Sequence, residues 1–356
     1  MEKLKKGFGA FLVPLLSILL AFIIGGIIMA ALGADPFLAV KYLFQGAFGT
    51  KAGIGTTLTK ATPLMFTALC ACFAYKCGVF NLGGEGQFIM GAVAAVTLLE
   101  LTGIKGTAGI ICALLVSVIA GGVWALIPGI LKIRRGLNEM IVSIMLNYIA
   151  TLIMSLVYTN IFRDGSIPQT AEIDGSLKLP FLSAGFRVHY GIIIALIVGL
   201  LLYYIMFHTS YGFKVRAVGN NLTATKINGF RVNFIMLSAF VLSGAIAGLG
   251  GSTELLGKQF RLQSGFGSGF GFDGVAIALI AELNPIGALV ISFLFAVLRK
   301  GSIALQVSMG VPTAIAEMIQ ALIIIFAVGG TAIVKRKSLS GKREKRILRK
   351  EKEAAV

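Results

Sequence analysis

The sequence places one carboxylate inside a glycine-rich polar segment between two strongly apolar runs. Residues 80–88 read Phe-Asn-Leu-Gly-Gly-Glu-Gly-Gln-Phe, with Glu85 at the centre. A carboxylate in hydrocarbon costs several kcal/mol, and non-helical backbone at that depth must be buried in protein or line a water-filled cavity. Asn81, Glu85 and Gln87 are therefore candidates for lining a solute pathway. For Glu85, holding the break together through hydrogen bonds is the slightly favoured alternative.

A second polar row starts at residue 139, and its members are spaced four residues apart. They are Glu139, Ser143, Asn147, Thr151, Ser155 and Thr159. Steps of four advance only about 40° around a helix, so three consecutive members share a face that must meet other helices or water. Ser143 and Asn147 are pathway candidates, and Asn147 is the stronger because its amide both donates and accepts. Interhelical packing is the alternative for the serines and threonines.

Sequence motifs for other kinds of chemistry are either missing or lack the structural context that they require. Residues 269–274 fit G-x-G-x-x-G, but no βαβ unit surrounds them, and no GxxxxGK[ST] phosphate loop exists. His189 and His208 flank one apolar run at opposite ends, too far apart to share a metal. The sequence therefore predicts no catalytic residue, no metal, no cofactor and no ATPase site. Enzyme chemistry has no support, and the chain cannot hydrolyse ATP alone.

Composition predicts an all-α polytopic integral membrane protein. The 356 residues are 57% hydrophobic and 13% charged, and the mean hydropathy is +0.91. Apolar runs of the length that crosses a bilayer recur along the chain. Full spans are predicted at roughly 8–32, 58–80, 86–101, 107–131, 139–162, 189–207, 233–256 and 313–334.

Two shorter apolar pieces lie between 272 and 298, broken at Asn284-Pro285. Each is too short to cross a hydrocarbon core of about 30 Å upright, so we expect either a re-entrant pair or two thin spans. The bundle thus has eight to ten transmembrane helices with broken or re-entrant segments. Asn284 is a pathway candidate because it can cap a half-helix whose end points at substrate. Glu254, Glu282 and Glu317 are expected near the membrane interfaces.

Charge predicts the orientation. With the N-terminus inside, most of the 32 lysines and arginines fall on cytoplasmic segments. Both termini are then cytoplasmic and the number of spans is even. We expect one transmembrane domain over 1–334 and a basic cytoplasmic tail over 335–356. The tail has no aromatic residues to stack on bases, so it predicts contact with anionic lipid headgroups of the bilayer and not with nucleic acid.

The cytoplasmic loop from 208 to 231 contains the elements of a short helix. Asn220 is expected as its N-cap and Gly229 as its C-terminal stop. A short capped amphipathic helix suits docking into a groove of a partner, and an ordinary surface helix is the alternative.

Five segments resemble one family of transport proteins. They are FNLGGEGQFIMGA at 80–92, GLNEMIVSIMLNYIA at 136–150, RAVGNNLTATKINGF at 216–230, LSGAIAGLGG at 242–251 and GFDGVAIALIAELNPIG at 271–287. In this order they resemble permease subunits of ATP-binding-cassette (ABC) importers of the simple-sugar and branched-chain amino-acid superfamily. The nucleoside branch, whose binding protein is a basic-membrane-protein-type lipoprotein, is the most similar.

The resemblance implies about ten helices per subunit in a bacterial plasma membrane. It implies a second permease subunit, homologous or identical, across a central pathway, together with cytoplasmic ABC ATPase domains and an extracellular substrate-binding lipoprotein. The cytoplasmic loop then resembles the segment that couples to the ATPase. The residues that match the family pattern there are Arg216, Gly219, Asn220, Ala224 and Gly229.

The function implied is inward movement of nucleosides, or of simple sugars, powered by separate ATPase subunits. The alternative is an ion-coupled secondary transporter of a small polar solute, which would need intramembrane acids as ion carriers. Only Glu85 and Glu139 qualify, and neither has an obvious basic partner in the sequence. A channel or scaffold would show no ATPase requirement.

Overall fold

The computed structural model describes residues 16, 19–31, 33–183, 185–267, 269–315 and 317–330. The N-terminal part of the first predicted span and the predicted tail at 335–356 lie outside these ranges. The described helices are α1 (Leu19–Ala31), α2 (Pro36–Phe48), α3 (Lys51–Lys76), α4 (Gly84–Thr102), α5 (Gly106–Arg135), α6 (Glu139–Leu156), α7 (Gly191–His208), α8 (Ser210–Asn220), α9 (Leu222–Ile227), α10 (Val232–Glu254), α11 (Phe270–Ile280), α12 (Pro285–Met309) and α13 (Glu317–Gly330).

The described helices confirm the predicted fold class, an all-α polytopic membrane protein. Seven of them are long and apolar enough to cross a membrane, or eight if α1 and α2, bent by 116° where they meet, form one broken span. α6 and α10 each continue into a π-helical turn, Val157–Ile161 and Leu255–Gln259. The chain forms two compact units, one of residues 45–300 and one of residues 1–44 with 301–356.

The sequence prediction for 272–298 is half wrong. α11 is short, as predicted, but α12 is a helix of 25 residues and not a second short piece. Arg299 and Lys300 suggest the end of an apolar run, yet the helix continues through them. The Arg299 guanidinium pairs with the Asp273 carboxylate in α11, which removes the need for both charges to reach solvent.

α3 is the most deeply buried spanning helix of the 45–300 unit, with α10 and α11 packed against it. Most of its threonine hydroxyls donate hydrogen bonds to carbonyl oxygens of the preceding turn. Thr67 Oγ1, for example, donates to the carbonyl oxygen of Pro63 at 3.0 Å, a carbonyl near the point where the proline interrupts the helix. This threonine-rich helix is less apolar than α10 and α11, which pack against it, and it is stable here because protein surrounds it.

α10 approaches α5 closely through small residues, as the Gly244-x-x-x-Gly248 spacing predicts. A Cβ on Gly244 would overlap the carbonyl oxygen of Gly121, and one on Gly248 would overlap that of Ser117. Ser117 Oγ in turn donates to the carbonyl oxygen of Gly91 in α4, at 2.9 Å. Three helices are thereby held at backbone contact distance.

Candidate functional site

The glycine-rich break is shorter than the sequence predicts. α3 ends at Lys76, Gly78 has the left-handed φ of +75°, and α4 already begins at Gly84. Glu85 and Gln87 therefore lie in the first turn of α4 and not in unwound backbone. A carboxylate in the first turn complements the positive end of the helix dipole, which favours an early helix start.

The Glu85 carboxylate joins α4 to the start of α11. Oε1 accepts from the backbone N–H of Gly269 at 3.0 Å, and Oε2 accepts from that of Gly271 at 2.5 Å. These N–H groups belong to the first turn of α11, which has no side-chain N-cap hydrogen bond. A Cβ on Gly271 would overlap the Glu85 backbone, so only glycine lets the two helix starts meet. The buried carboxylate thus acts as the missing cap of its neighbour.

The other two polar residues of the break form a reciprocal amide pair. Asn81 Nδ2 donates to Gln87 Oε1 at 3.0 Å, and Gln87 Nε2 donates to Asn81 Oδ1 at 2.9 Å. Asn81 Nδ2 also donates to Ser243 Oγ in α10, and the Gly83 N–H donates to Asn81 Oδ1, both at 2.9 Å. Both amides are buried. This pair ties the connection between α3 and α4 to α10.

Asn147 fastens the same connection from α6. Its Oδ1 accepts from the Gly86 N–H at 2.8 Å, and its Nδ2 donates to the Leu82 carbonyl at 2.9 Å. Ser143, one turn earlier, is fully buried, and its hydroxyl has no hydrogen-bond partner in the described part of the chain. Their assignment to a pathway stays a prediction. Asn147 contacts the glycine segment directly, and a Cβ added to Gly83 would lie 3.4 Å from Ser143 Cβ, so both residues face this segment.

Asn284 caps a helix, as its position before Pro285 indicates. Its Oδ1 accepts from the Ile286 N–H at 3.0 Å, and the side chain is half-buried at the start of α12. Its role on a pathway is likewise a prediction.

Glu139 at the start of α6 pairs with Lys132 at the end of α5, a basic partner that sequence spacing did not reveal.

The loop from 208 to 231 contains two helices where the sequence predicts one. Asn220 is the last residue of α8 and not an N-cap; the cap is Asn221, whose Oδ1 accepts from the Ala224 N–H at 2.9 Å. Both neighbouring asparagines suit a cap by type, and only the start of α9 decides between them. Gly229 follows α9 with a φ of +81°, which agrees with its predicted role as a stop.

The residues that match the family's coupling pattern are mostly exposed. Asn220, Ala224 and Gly229 are exposed, whereas Arg216 is half-buried with its guanidinium 5.4 Å from the centre of the Phe207 ring. Gly219 is also exposed, but a Cβ there would overlap the carbonyl oxygen of Lys76. Gly219 thus allows α8 to lie against the end of α3.

α8 is held to the membrane helices at one further point. The Tyr211 hydroxyl lies 2.7 Å from Ser238 Oγ in α10. Burial raises the pKa of Tyr211 above its ordinary value, so the phenol keeps its proton for this bond. α8 is therefore in contact with both α3 and α10.

The structure also contains a cluster of charged residues that is not among the site candidates predicted from the sequence. Glu254 is fully buried, and it accepts from Lys258 Nζ at 2.6 Å and from Gln259 Nε2 at 3.1 Å. Lys258 and Arg299 lie 5.9 and 5.3 Å from the centre of the Phe270 ring. The four-residue spacing of Glu254 and Lys258 was the available signal for the first pair. Among the described residues, no group of His, Cys, Asp and Glu suits a metal ion.

Ion pairs connect the segment between α6 and α7 with the segment that follows α10. Glu172 accepts from Lys178 Nζ at 2.5 Å and from Arg261 at 2.8 Å. The Lys178 ammonium, with the Arg261 guanidinium, holds the pKa of Glu172 below its usual range.

Comparison with known proteins decides between the classes of transporter. Residues 53–328 match the family described as the permease component of the branched-chain amino acid transport system. This chain belongs to that family. The permease is thus a multi-pass membrane subunit of an ABC importer, which works with an ATPase and a substrate-binding protein, and the secondary-transporter alternative is set aside.

Three relatives match most of the permease. A guanosine ABC transporter permease protein of Bacillus subtilis is 35% identical over 92% of this chain and 96% of its own. A nucleoside ABC transporter permease protein of Lactococcus lactis is 34% identical over 88% and 90%. A glucose ABC transporter permease protein of Haloferax volcanii is 32% identical over 90% and 87%. No solved structure matches the chain.

Proposed function

We propose that this permease imports nucleosides. The observation that carries the proposal is the 35% identity to a guanosine permease protein over 92% of the chain, supported by the nucleoside permease protein of similar identity. The glucose permease protein at 32% makes simple sugars the second candidate.

The permease forms the membrane part of a larger assembly in a bacterial plasma membrane. A second permease subunit, homologous or identical, pairs with it across the pathway, and ATP is hydrolysed only by the partner ATPase. The binding protein is an extracellular lipoprotein. Both termini are cytoplasmic, residues 1–334 form one transmembrane domain, and residues 335–356 form a basic tail. The lysines and arginines of α8, of α9 and of the last turn of α5 support this orientation.

The α8–α9 pair is the contact with the ATPase. Its support is the exposure of Asn220, Ala224 and Gly229 together with the fixed attachment of α8 to α3 and α10. A rigid arm whose outer surface is free suits the transmission of ATPase closure to the membrane helices.

The substrate is tested with the complete transporter in proteoliposomes. We expect uptake of labelled nucleosides that requires ATP and the binding protein, with little uptake of glucose. Glucose uptake without nucleoside uptake would contradict the nucleoside assignment. Uptake that persists without ATP would contradict the role of the partner ATPase.

The ATPase contact is tested at Ala224, because its side chain is exposed and supports no packing. Ala224→Trp should leave the protein folded and membrane-inserted but uncouple ATP hydrolysis from transport. Ala108→Trp is the matched control, since Ala108 is an exposed alanine at the start of α5. Normal coupling in Ala224→Trp would remove the assignment. Gly219 is a poorer test, since any side chain there overlaps α3.

A further inference from the structure

A cleft of about 400 Å³ lies where the ends of α3 and α7 meet α8. The walls of this α8 cleft include Lys76 of α3, Phe207 of α7, Arg216 and Gly219 of α8, and Leu283 between α11 and α12. All of these residues belong to the compact unit of residues 45–300. The volume falls within the range of natural ligand pockets, so the cleft has room for a group from outside the chain.

Two cations of the α8 cleft lie against the same aromatic ring. Lys76 Nζ is 5.8 Å and Arg216 Cζ is 5.4 Å from the centre of the Phe207 ring. The negative face of the ring attracts each cation but does not neutralise it. None of the described residues that line the cleft is acidic, and Glu282, which precedes Leu283, is exposed outside the lining. The lining therefore favours a negatively charged group.

The Arg216 guanidinium has N–H groups to spare. Its side chain is half-buried, and within the described part of the chain its one hydrogen bond runs from Nε to the carbonyl oxygen of Gly212, at 3.4 Å. A guanidinium has five N–H donors in a planar fork, which matches the two oxygens of a carboxylate. The terminal NH2 groups of Arg216 thus lack acceptors, and the cleft gives an acceptor access to them.

Resting on the contact of α8 and α9 with the ATPase proposed above, we propose that the α8 cleft receives a carboxylate side chain of the partner ATPase, bound by Arg216 and Lys76. Gly219 and Asn220 line the cleft and are exposed, and they belong to that contact, so an ATPase seated there covers the cleft. A carboxylate complements both cations and binds a guanidinium through two parallel hydrogen bonds. Such a pair fixes the register of one subunit on the other.

The first test measures how tightly the complete transporter holds its ATPase. The transporter is reconstituted in nanodiscs and diluted, and the ATPase that stays bound is measured. We expect Arg216→Glu to lower the affinity at least about tenfold, because two carboxylates would then face each other. Arg216→Lys should lower it less than about threefold, since lysine keeps the charge and loses only the planar fork.

Arg135→Glu is the matched control for this charge reversal. Arg135 is an exposed arginine in the last turn of α5, and it does not line the α8 cleft, so the affinity for the ATPase should stay unchanged. The melting temperature checks that Arg216→Glu is folded. If it is not, Arg216→Gln, which removes the charge without reversing it, repeats the measurement.

The second test identifies the group that occupies the cleft. A carbodiimide joins an ammonium directly to a carboxylate that touches it, so Lys76 should be cross-linked to an aspartate or glutamate of the ATPase. Peptide mass spectrometry locates the link. Lys76→Arg should abolish the cross-link and keep the ATPase bound, because a guanidinium retains the charge but does not couple.

Three outcomes overturn the proposal. They are unchanged ATPase affinity in both Arg216→Glu and Arg216→Gln, cross-links of Lys76 only to carboxylates of its own chain, and loss of bound phosphatidylglycerol from Arg216→Glu with the ATPase affinity unchanged. The last would show a lipid headgroup in the cleft. Failure of the underlying ATPase contact is distinguishable, because Ala224→Trp on α9 would then also couple normally.

Discussion

Glu85→Gln should destabilise the folded permease, because the Glu85 carboxylate is hydrogen-bonded to the start of α11. We expect this loss of stability, and not the loss of a contact with the solute, to be the main effect. Glutamine has the same shape, but one carboxylate oxygen becomes an NH2 group. That group would face the N–H of Gly269 or Gly271, two donors that now bind the carboxylate at 3.0 and 2.5 Å. A hydrogen bond to a charged acceptor contributes about 1.5–3 kcal/mol, and a neutral one about 1 kcal/mol. Losing one and weakening the other lowers the free energy of unfolding by about 2–4 kcal/mol.

The assay is thermal unfolding of the purified protein in detergent, with uptake measured in parallel. At roughly 2–4 °C per kcal/mol, as found for soluble domains, the melting temperature should fall by about 4–16 °C. Uptake should fall only as far as the amount of folded protein falls. Glu100→Gln is the control, because Glu100 is an exposed glutamate on the same helix, and a surface change there should stay within about 0.5 kcal/mol.

Two results would refute this reasoning. An unchanged melting temperature with abolished uptake would show that the carboxylate acts on the solute or on the transport cycle. An unchanged melting temperature with normal uptake would show that the two backbone bonds contribute nothing that matters to folding or transport.

Three further predictions concern contacts around the same helices. Asn147→Leu leaves two backbone groups of the glycine segment unpaired, so the unfolding free energy should fall by about 2–4 kcal/mol; an unchanged melting temperature would contradict this. Gly248→Leu drives a side chain into the Ser117 carbonyl, so size-exclusion profiles should show misassembled protein, and a normal profile would disprove the close contact of α10 with α5. Asn221→Ala removes the cap of α9 and should cost about 1 kcal/mol. Faster amide exchange over 222–227 would report it, and unchanged exchange would argue against the cap.

The sequence predicts the membrane class and most spans because those follow from local composition. It also predicts the small-residue contact at Gly244 and Gly248, since close approach of helices needs small side chains. It fails at Arg299, where two charges in a row suggest a helix end. Their compensation comes from Asp273 on another helix, which spacing along the chain cannot show.

The candidate site shows the same division between local and distant information. That Glu85 and Asn147 are buried polar residues is readable from their positions in apolar runs. What each one binds is not, because the partners are backbone groups 61 to 186 residues away. Which of Asn220 and Asn221 caps α9 depends on a backbone conformation that either type of residue permits.

The hydrogen bonds of the polar residues make several of them poorer candidates for contact with the solute. Glu85, Asn147 and the Asn81–Gln87 pair have their polar atoms bound to the protein, so each would have to release a partner to touch a solute. A buried group that gives up such a bond loses about 1–3 kcal/mol, which a passing solute must replace within each transport cycle. The polar centre at residues 81–87 is therefore better suited to holding the helices together than to contacting a solute in each transport cycle.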